Sequence, residues 1–95
     1  MILARVSGTL VATRRSDDVP AARYLLITST DSRGVDGGST LVALDTVGAG
    51  TGEIVLVAQG SSARQTKASD KKAIDAVIIG IVDQVDQDGT VTYKK

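Results

Sequence analysis

Several residue types that carry catalytic and structural chemistry are absent from this sequence of 95 residues. It has no cysteine and no histidine, which excludes disulfides, thiolate nucleophiles, most zinc sites and every imidazole-based catalytic triad. Phenylalanine and tryptophan are absent as well, so the core has to be filled by Val, Ile and Leu. Composition alone therefore predicts a small β-rich domain with no enzymatic activity, no metal and no cofactor.

The charge balance bears on the partners that the protein can have. Eleven Lys and Arg residues match eleven Asp and Glu residues, which gives a net charge of zero. Nucleic acids and anionic membranes select proteins with a surplus of positive charge, so neither is an expected partner. The apolar content of 42% and the charged content of 23% are ordinary for a folded chain. At this length we expect a single domain over residues 1–95.

No segment has the pattern of a targeting signal or a membrane span. Arg5 interrupts the apolar start of the chain, and the longest apolar run, 76–82, is broken by Gly80 and is too short to cross a bilayer. Together with the lack of cysteine, this pattern favours a cytoplasmic setting.

Hydrophobic patterning predicts five or six strands. Val, Ile and Thr favour strands, and alternating or continuous apolar runs place them over 2–12, 24–29, 41–44, 53–58, 76–85 and 90–94. Residues 60–65 are predicted to form one or two helical turns with a serine N-cap, and the charged segment 66–72 is predicted to be a mobile loop. The expected fold is an all-β barrel of five or six strands with one short helix.

One strand also predicts self-association. Residues 54–58 are apolar on both sides of the strand. A domain of this size buries only about two-thirds of the surface of its unfolded chain. A partner subunit is the simplest way to cover such a strand.

Three glycines, Gly48, Gly50 and Gly52, invite a comparison with phosphate-binding loops. Their spacing is G-x-G-x-G, and they are followed by Glu53 and a strand. The dinucleotide fingerprint needs G-x-G-x-x-G before a helix, and the P-loop needs a lysine. A carboxylate at position 53 would repel phosphate, so we favour a tight structural bend or a backbone-packed interface.

Two adjacent serines, Ser61 and Ser62, have no histidine to activate them as nucleophiles. A helix cap or a polar surface is the favoured role. Small, uncharged side chains also suit the rim of an aperture, and on this ground Ser61, Ser62 and Ala63 are candidates to line one.

Charged residues near the predicted strand ends are candidates for ion pairs. Arginine suits bidentate pairing with a carboxylate, and Arg64 is expected to pair, within or between subunits, with Asp45, Glu53 or Asp83.

Asp83, Asp86 and Asp88 lie close together in the sequence, and the piece D-Q-D-G over 86–89 resembles part of a calcium loop. It lacks the later glutamate and the flanking helices of such a loop, so turn chemistry is favoured.

Six segments together resemble one known family. They are A-R-V-S-G-T-L-V-A-T over 4–13, Y-L-L-I over 24–27, A-L-D-T-V-G-A-G-T-G-E over 43–53, G-S-S-A-R-Q over 60–65, A-I-D-A over 73–76 and I-G-I-V-D over 79–83. This combination is similar to the EutN/CcmL family, the pentameric vertex proteins of bacterial microcompartments. The resemblance covers nearly the whole chain.

The resemblance implies an OB-like β-barrel that assembles as a homopentamer and caps the five-fold corners of a polyhedral shell in the cytoplasm. Its neighbours would be hexameric or pseudohexameric shell proteins, and the family has no established catalytic residues. The form of the 48–53 segment resembles catabolic and β-carboxysomal members, and a catabolic metabolosome is favoured over a carboxysome. Residues 61–63 are then expected near the five-fold axis, with the 48–52 bend as the alternative.

Two other classes of function stay open at this point. An OB-type module that binds single-stranded nucleic acid needs a basic groove and aromatic stacking platforms, whereas this chain is neutral and has two tyrosines. An enzyme that uses the carboxylates of Glu53 and Asp83 would need a concave pocket around a strongly perturbed carboxyl group, and no spacing in the sequence indicates one.

Overall fold

Seven strands and one short 3-10 helix make up a computed structural model that describes all of residues 1–95. The strands are β1 (Ile2–Leu10), β2 (Tyr24–Thr30), β3 (Asp36–Asp45), β4 (Ile54–Gln59), β5 (Ala76–Ile81), β6 (Gln84–Gln87) and β7 (Thr90–Lys94), and the 3-10 helix spans Gly60–Gln65. None of its helices has the length and apolar character that crossing a membrane requires.

Five strands close into a barrel in the order β1-β2-β3-β5-β4. Neighbouring strands are antiparallel except β3 and β5, which run parallel and pair only at Leu44–Val77 and Asp45–Ile78. β6 and β7 form a separate hairpin. The prediction of a small all-β barrel with one short helix is confirmed.

Strand alternation divides the buried residues between two cores. The larger core fills the barrel with small and β-branched side chains, among them Val6, Ile27, Val57 and Ile78. The second core lies outside the barrel wall, because its members Leu44 and Val77 alternate with inward-facing residues. It consists of Val19, Leu44, Ala63, Ile74 and Val77, so the loops before β2 and before β5 cover this part of the wall.

The strand predicted over 2–12 ends two residues early, at Leu10, and two other predicted strands differ more from the structure. β3 starts at Asp36, so Gly37 and Gly38, which sequence patterning assigned to a turn, belong to a strand that pairs with β2. The predicted strand over 76–85 divides into β5 and β6, because pairing with β4 ends at Ile81 and the chain then enters the hairpin. The predicted hairpin turn at Asp88 and Gly89 is confirmed, with φ angles of 53° and 77°.

Most of the apolar strand β4 is covered within a single subunit. Ile54, Val55, Val57 and Ala58 are all buried. Leu56 is partly exposed, so the expectation that a partner subunit covers this strand stays a prediction for that side chain. Exposed apolar side chains occur elsewhere, at Leu10, Val11, Val35, Val42, Val47 and Val91.

Candidate functional site

The glycine-rich segment between β3 and β4 turns sharply and closes one end of the barrel. Gly48 and Gly52 have φ angles of 74° and 90°, which non-glycine residues rarely adopt. Between them, Ala49 is fully buried in the barrel core. The backbone N–H of Gly52 donates to the carbonyl of Val6 at 2.8 Å, which ties the bend to β1.

Asp45 organises this bend. Its carboxylate accepts hydrogen bonds from the backbone N–H groups of Val47 and Ala49 at 3.1–3.3 Å. The guanidinium of Arg23 donates to the same carboxylate at 2.5 Å and to the carbonyl of Ala49 at 2.8 Å. Only 2% of the Asp45 side chain is exposed, so this acid already has its partners inside the subunit.

Glu53 holds the other end of the bend. Its Oε1 accepts the backbone N–H of Gly50 at 2.6 Å, and its Oε2 lies 2.5 Å from the Nζ of Lys95. The hydrogen bond from Lys95 and that from Gly50 lower the pKa of Glu53 below its usual value. The same pairing raises the pKa of Lys95.

Arg64 forms no ion pair within the chain. Its Nη1 donates to the carbonyl of Ile74 at 3.2 Å. Of the three acids considered for it, Asp45 pairs with Arg23 and Glu53 pairs with Lys95. Asp83 is exposed and has no cationic side chain within ion-pair distance. The structure therefore brings none of the three acids to Arg64 inside one subunit, and a pair between subunits stays a prediction.

The aperture candidates divide into two kinds. Ser61 and Ser62 are exposed on the 3-10 helix, whereas Ala63 is fully buried in the second core. Ala63 is thus a packing residue, so only the two serines among the three candidates have exposed side chains, and the place of residues 61–63 near a five-fold axis stays a prediction. The serine N-cap is wrong, because the capping position is Gln59 and no side chain caps the helix.

The segment that sequence patterning assigned to a mobile loop contains a buried anchor. Ser69 is fully buried, and its hydroxyl donates to the carbonyl of Ala63. Its backbone N–H donates to the Oγ1 of Thr66 at 3.1 Å. The loop is therefore fastened to the 3-10 helix, and nothing in the charged pattern around Ser69 distinguishes it from an exposed serine.

A second cluster that sequence reasoning missed fixes the loop before β2. The hydroxyl of Tyr24 and the guanidinium of Arg15 both donate to the Asp17 carboxylate, and the guanidinium lies 5.6 Å from the Tyr24 ring centre. The Tyr24 hydroxyl, then the N–H of Val19, lower the pKa of Asp17. Burial and the Asp17 hydrogen bond raise the pKa of Tyr24.

Two mixed-charge loops meet beside this cluster. The Nζ of Lys72 lies 3.1 Å from Oδ2 of Asp18, which joins the 66–75 loop to the 11–23 loop. Local sequence patterns do not predict this contact, because the two residues are 54 positions apart in the chain.

The surface offers little that resembles a reaction site. No three acidic side chains are grouped to hold a metal ion. The larger of two open depressions, about 310 Å³, is mostly apolar and lies between residues 9–12 and 22–25. Neither depression contains Glu53 or Asp83.

Comparison with known proteins gives a consistent result. The family described as "Ethanolamine utilisation protein EutN/carboxysome" matches residues 1–83. The bacterial microcompartment shell vertex protein GrpN of Rhodospirillum rubrum is 44% identical over 90% of this chain and 97% of its own. The shell vertex protein EutN of Salmonella typhimurium is 42% identical over 100% of this chain and 96% of its own.

Solved structures agree with the sequence matches. The structure of Gloeobacter violaceus CcmL has a TM-score of 0.93 and 40% identity, and it covers 100% of this chain and 98% of its own. A structure described as the pentameric microcompartment shell protein GrpN from Rhodospirillum rubrum has a TM-score of 0.82 and 42% identity. It covers 92% of this chain and 100% of its own.

Proposed function

Because the chain belongs to the EutN/CcmL family, we propose that five copies of it form a closed ring that caps a five-fold vertex of a bacterial microcompartment shell. The observation that carries this proposal is the identity of 42–44% with proteins named as shell vertex proteins, over 90–100% of the chain. One of these relatives, GrpN, is described as pentameric. The protein is thus a structural component of a shell in the cytoplasm.

The role follows from the geometry of closed shells. Hexameric proteins tile flat sheets, and a sheet closes only where five-fold units replace six-fold ones. The proposed neighbours are therefore hexameric or pseudohexameric shell proteins. We propose no enzymatic activity, since Asp45 and Glu53, the most closely coordinated carboxylates of the bend, are engaged in holding it.

The joined loops supply a surface of the kind that a hexamer edge needs. The ion pair between Lys72 and Asp18 connects two short segments, 14–18 and 70–72, and each segment carries both positive and negative side chains. Mixed charges form short, specific contacts, and they keep free rings soluble better than an apolar rim would. We assign the contact with hexamers to this surface.

The exposed serines Ser61 and Ser62 are assigned to the central opening of the ring. They are small and uncharged, and they follow Gly60, whose φ of 62° lets the chain turn there. Five copies of such a segment can converge without steric conflict. The form of residues 48–53 resembles catabolic and β-carboxysomal members alike, and we propose a catabolic compartment as the setting.

Native mass spectrometry of the purified chain tests the assembly. We expect one dominant species at five times the 9.8 kDa mass of one chain. A monodisperse monomer or dimer at micromolar concentration would contradict the proposal. Light scattering at several protein concentrations is the matched check, because a closed ring does not grow with concentration.

A further inference from the structure

The β6–β7 hairpin is attached to the barrel by only a few contacts. Its strands pair with each other alone, and no backbone hydrogen bond connects residues 84–94 to the barrel. None of these residues is buried, and none belongs to either core. Burial of apolar surface is the main stabilising term in folding, and a two-stranded hairpin on its own is marginally stable in water. The hairpin therefore depends on the side-chain contacts that dock it.

One docking point is the turn between β2 and β3, residues 31–35. The Thr92 hydroxyl donates to the carbonyl of Ser32 at 2.8 Å. A Cβ at Gly34 would lie only 3.2 Å from Cδ1 of Tyr93, so the Tyr93 ring rests directly on this glycine. This contact is the largest one that the hairpin makes through an apolar surface, and it involves a single aromatic ring.

The second docking point is the ion pair of Lys95 with Glu53, in which Nζ and Oε2 lie 2.5 Å apart. The backbone N–H of Lys95 donates to the carbonyl of Asp83 at 2.9 Å, which closes the base of the hairpin. The other carboxylate oxygen of Glu53 accepts the N–H of Gly50 at 2.6 Å. The side chain that holds the hairpin thus also holds the glycine bend.

The barrel side of both docking points is fixed independently of the hairpin. The Arg5 guanidinium, which extends from β1, donates to the carbonyl of Gly34 and, at 3.4 Å, to the carbonyl of Gly52. On the chain that leads into the hairpin, the last contact with the barrel is the 2.8 Å bond from the N–H of Val82 to the carbonyl of Ile54. Residues 82 and 83 belong to no strand, so they are the place where the hairpin can hinge.

We propose that residues 84–95, here called the strap, open and close as one unit about residues 82–83 while the barrel stays folded. Units with little buried apolar surface open at a lower free energy than the whole fold. The Lys95–Glu53 pair couples closure of the strap to the order of the glycine bend, because opening leaves the Glu53 side chain without the lysine that fixes it beside Gly50. The strap thereby sets how firmly the bend closes its end of the barrel.

Amide hydrogen exchange of the full chain at neutral pH, followed by mass spectrometry of peptides, tests both parts of the proposal. The segments to compare are 84–94 in the strap, 46–53 in the bend and 54–59 in the barrel. Lys95→Met removes the ion pair, and Tyr93→Ala removes the contact with Gly34 while Lys95 stays in place. Lys94→Met is the matched control, because Lys94 is exposed and forms no ion pair.

In the wild type, the strap should exchange at least about tenfold faster than the barrel segment. Lys95→Met should speed exchange in the strap and in the bend by about twofold to fivefold, the range that an exposed ion pair supports, and leave the barrel segment unchanged. Tyr93→Ala should speed the same two segments, although Tyr93 does not contact the bend. Lys94→Met should behave like the wild type.

A wild-type strap that exchanges as slowly as the barrel segment would overturn the separate opening. A Tyr93→Ala protein in which the strap exchanges faster and the bend does not would overturn the coupling, and so would a Lys94→Met protein that matches Lys95→Met. The contacts involved all lie within one subunit, so this inference does not rest on the proposed ring. A chain that forms no pentamer would contradict the proposed function alone.

Discussion

Arg23 and Asp45 are joined twice, once through the backbone and once through their side chains. The N–H of Asp45 donates to the carbonyl of Arg23 at 2.9 Å, and the Arg23 guanidinium donates to the Asp45 carboxylate at 2.5 Å. The same guanidinium reaches the carbonyl of Ala49, the residue that the bend inserts into the barrel core. The end of β3, the start of β2 and the glycine bend thus form one unit.

Replacing the acid of this unit should destabilise the fold. Asp45→Ala removes the acceptor for two backbone N–H groups and leaves them without a partner, which we expect to cost about 2–3 kcal/mol. Urea unfolding at fixed protein concentration measures the loss. Asp36→Ala is the control, because Asp36 is 55% exposed in its pair with Arg5 and should cost less than about 1 kcal/mol. Equal losses in the two variants would contradict the role given to Asp45.

Two residues of the same 3-10 helix, Ala63 and Gln65, should respond differently to the same substitution. Ala63→Leu adds volume to a fully buried site and should cost about 1–3 kcal/mol. Gln65→Leu changes an exposed side chain and should alter the stability by less than about 0.5 kcal/mol. Thermal unfolding of the two variants provides the comparison, and a stable Ala63→Leu protein would show that the second core is loosely packed.

Glu53 should make the stability depend on pH in the acid range. Its pKa is lowered in the folded protein, so its stabilising contribution is complete above the unfolded value of about 4.3 and is lost as the pH falls through the folded value. Glu53→Gln should be less stable than the wild type at pH 7, and the difference should shrink below about pH 4. Urea midpoints from pH 7 to pH 3 measure this difference.

Lys95, the partner of Glu53, should make the stability depend on pH in the alkaline range as well. The pKa of Lys95 is raised, so its contribution to stability is complete below about 10.4 and is lost as the pH rises through the folded value.

Asp86→Asn, on the hairpin and without an ion pair, is the control for the acid titration of Glu53. A Glu53→Gln variant whose midpoints parallel those of the wild type at every pH would show that the pair contributes nothing.

Arg64 is expected to contact an acid of the neighbouring subunit, and Asp83 is the only one of its three candidates that forms no ion pair within the subunit. Arg64→Asp should therefore weaken the ring, and the exchange Arg64→Asp with Asp83→Arg should restore part of the loss. Native mass spectrometry measures the pentamer fraction. An Arg64→Ala variant that assembles and melts like the wild type would show that the residue is merely solvated.

Local patterning predicted the strands well wherever one local signal dominates. Alternation located β1, and the Asp88-Gly89 pair located the last hairpin. The errors occur where pairing overrides local preference. Taken alone, Gly37 and Gly38 favour a turn. They lie in β3 instead, because β2, the strand that pairs with β3, continues to Thr30. The sequence cannot reveal that pairing.

The partners of charged side chains were harder to predict. Arg64 was matched to acids that are in fact held by Arg23 and Lys95, both far from them in sequence. Arg5, which no motif highlights, donates to Asp36 at 3.1 Å and to the carbonyl of Gly34. Such pairs depend on which strands adjoin in the closed barrel, and residue type and spacing carry no information about that. The family resemblance itself was readable, because its segments are contiguous in the chain.

Electron microscopy of shells assembled with and without this chain, in a host that lacks any related vertex protein, tests the central claim most directly. The vertex role predicts regular closed polyhedra when the chain is present. Without it, we expect elongated, open or leaky shells whose encapsulated enzymes stay active, since the chain closes the shell and takes no part in the reactions. Regular closed polyhedra formed in its absence would contradict the account.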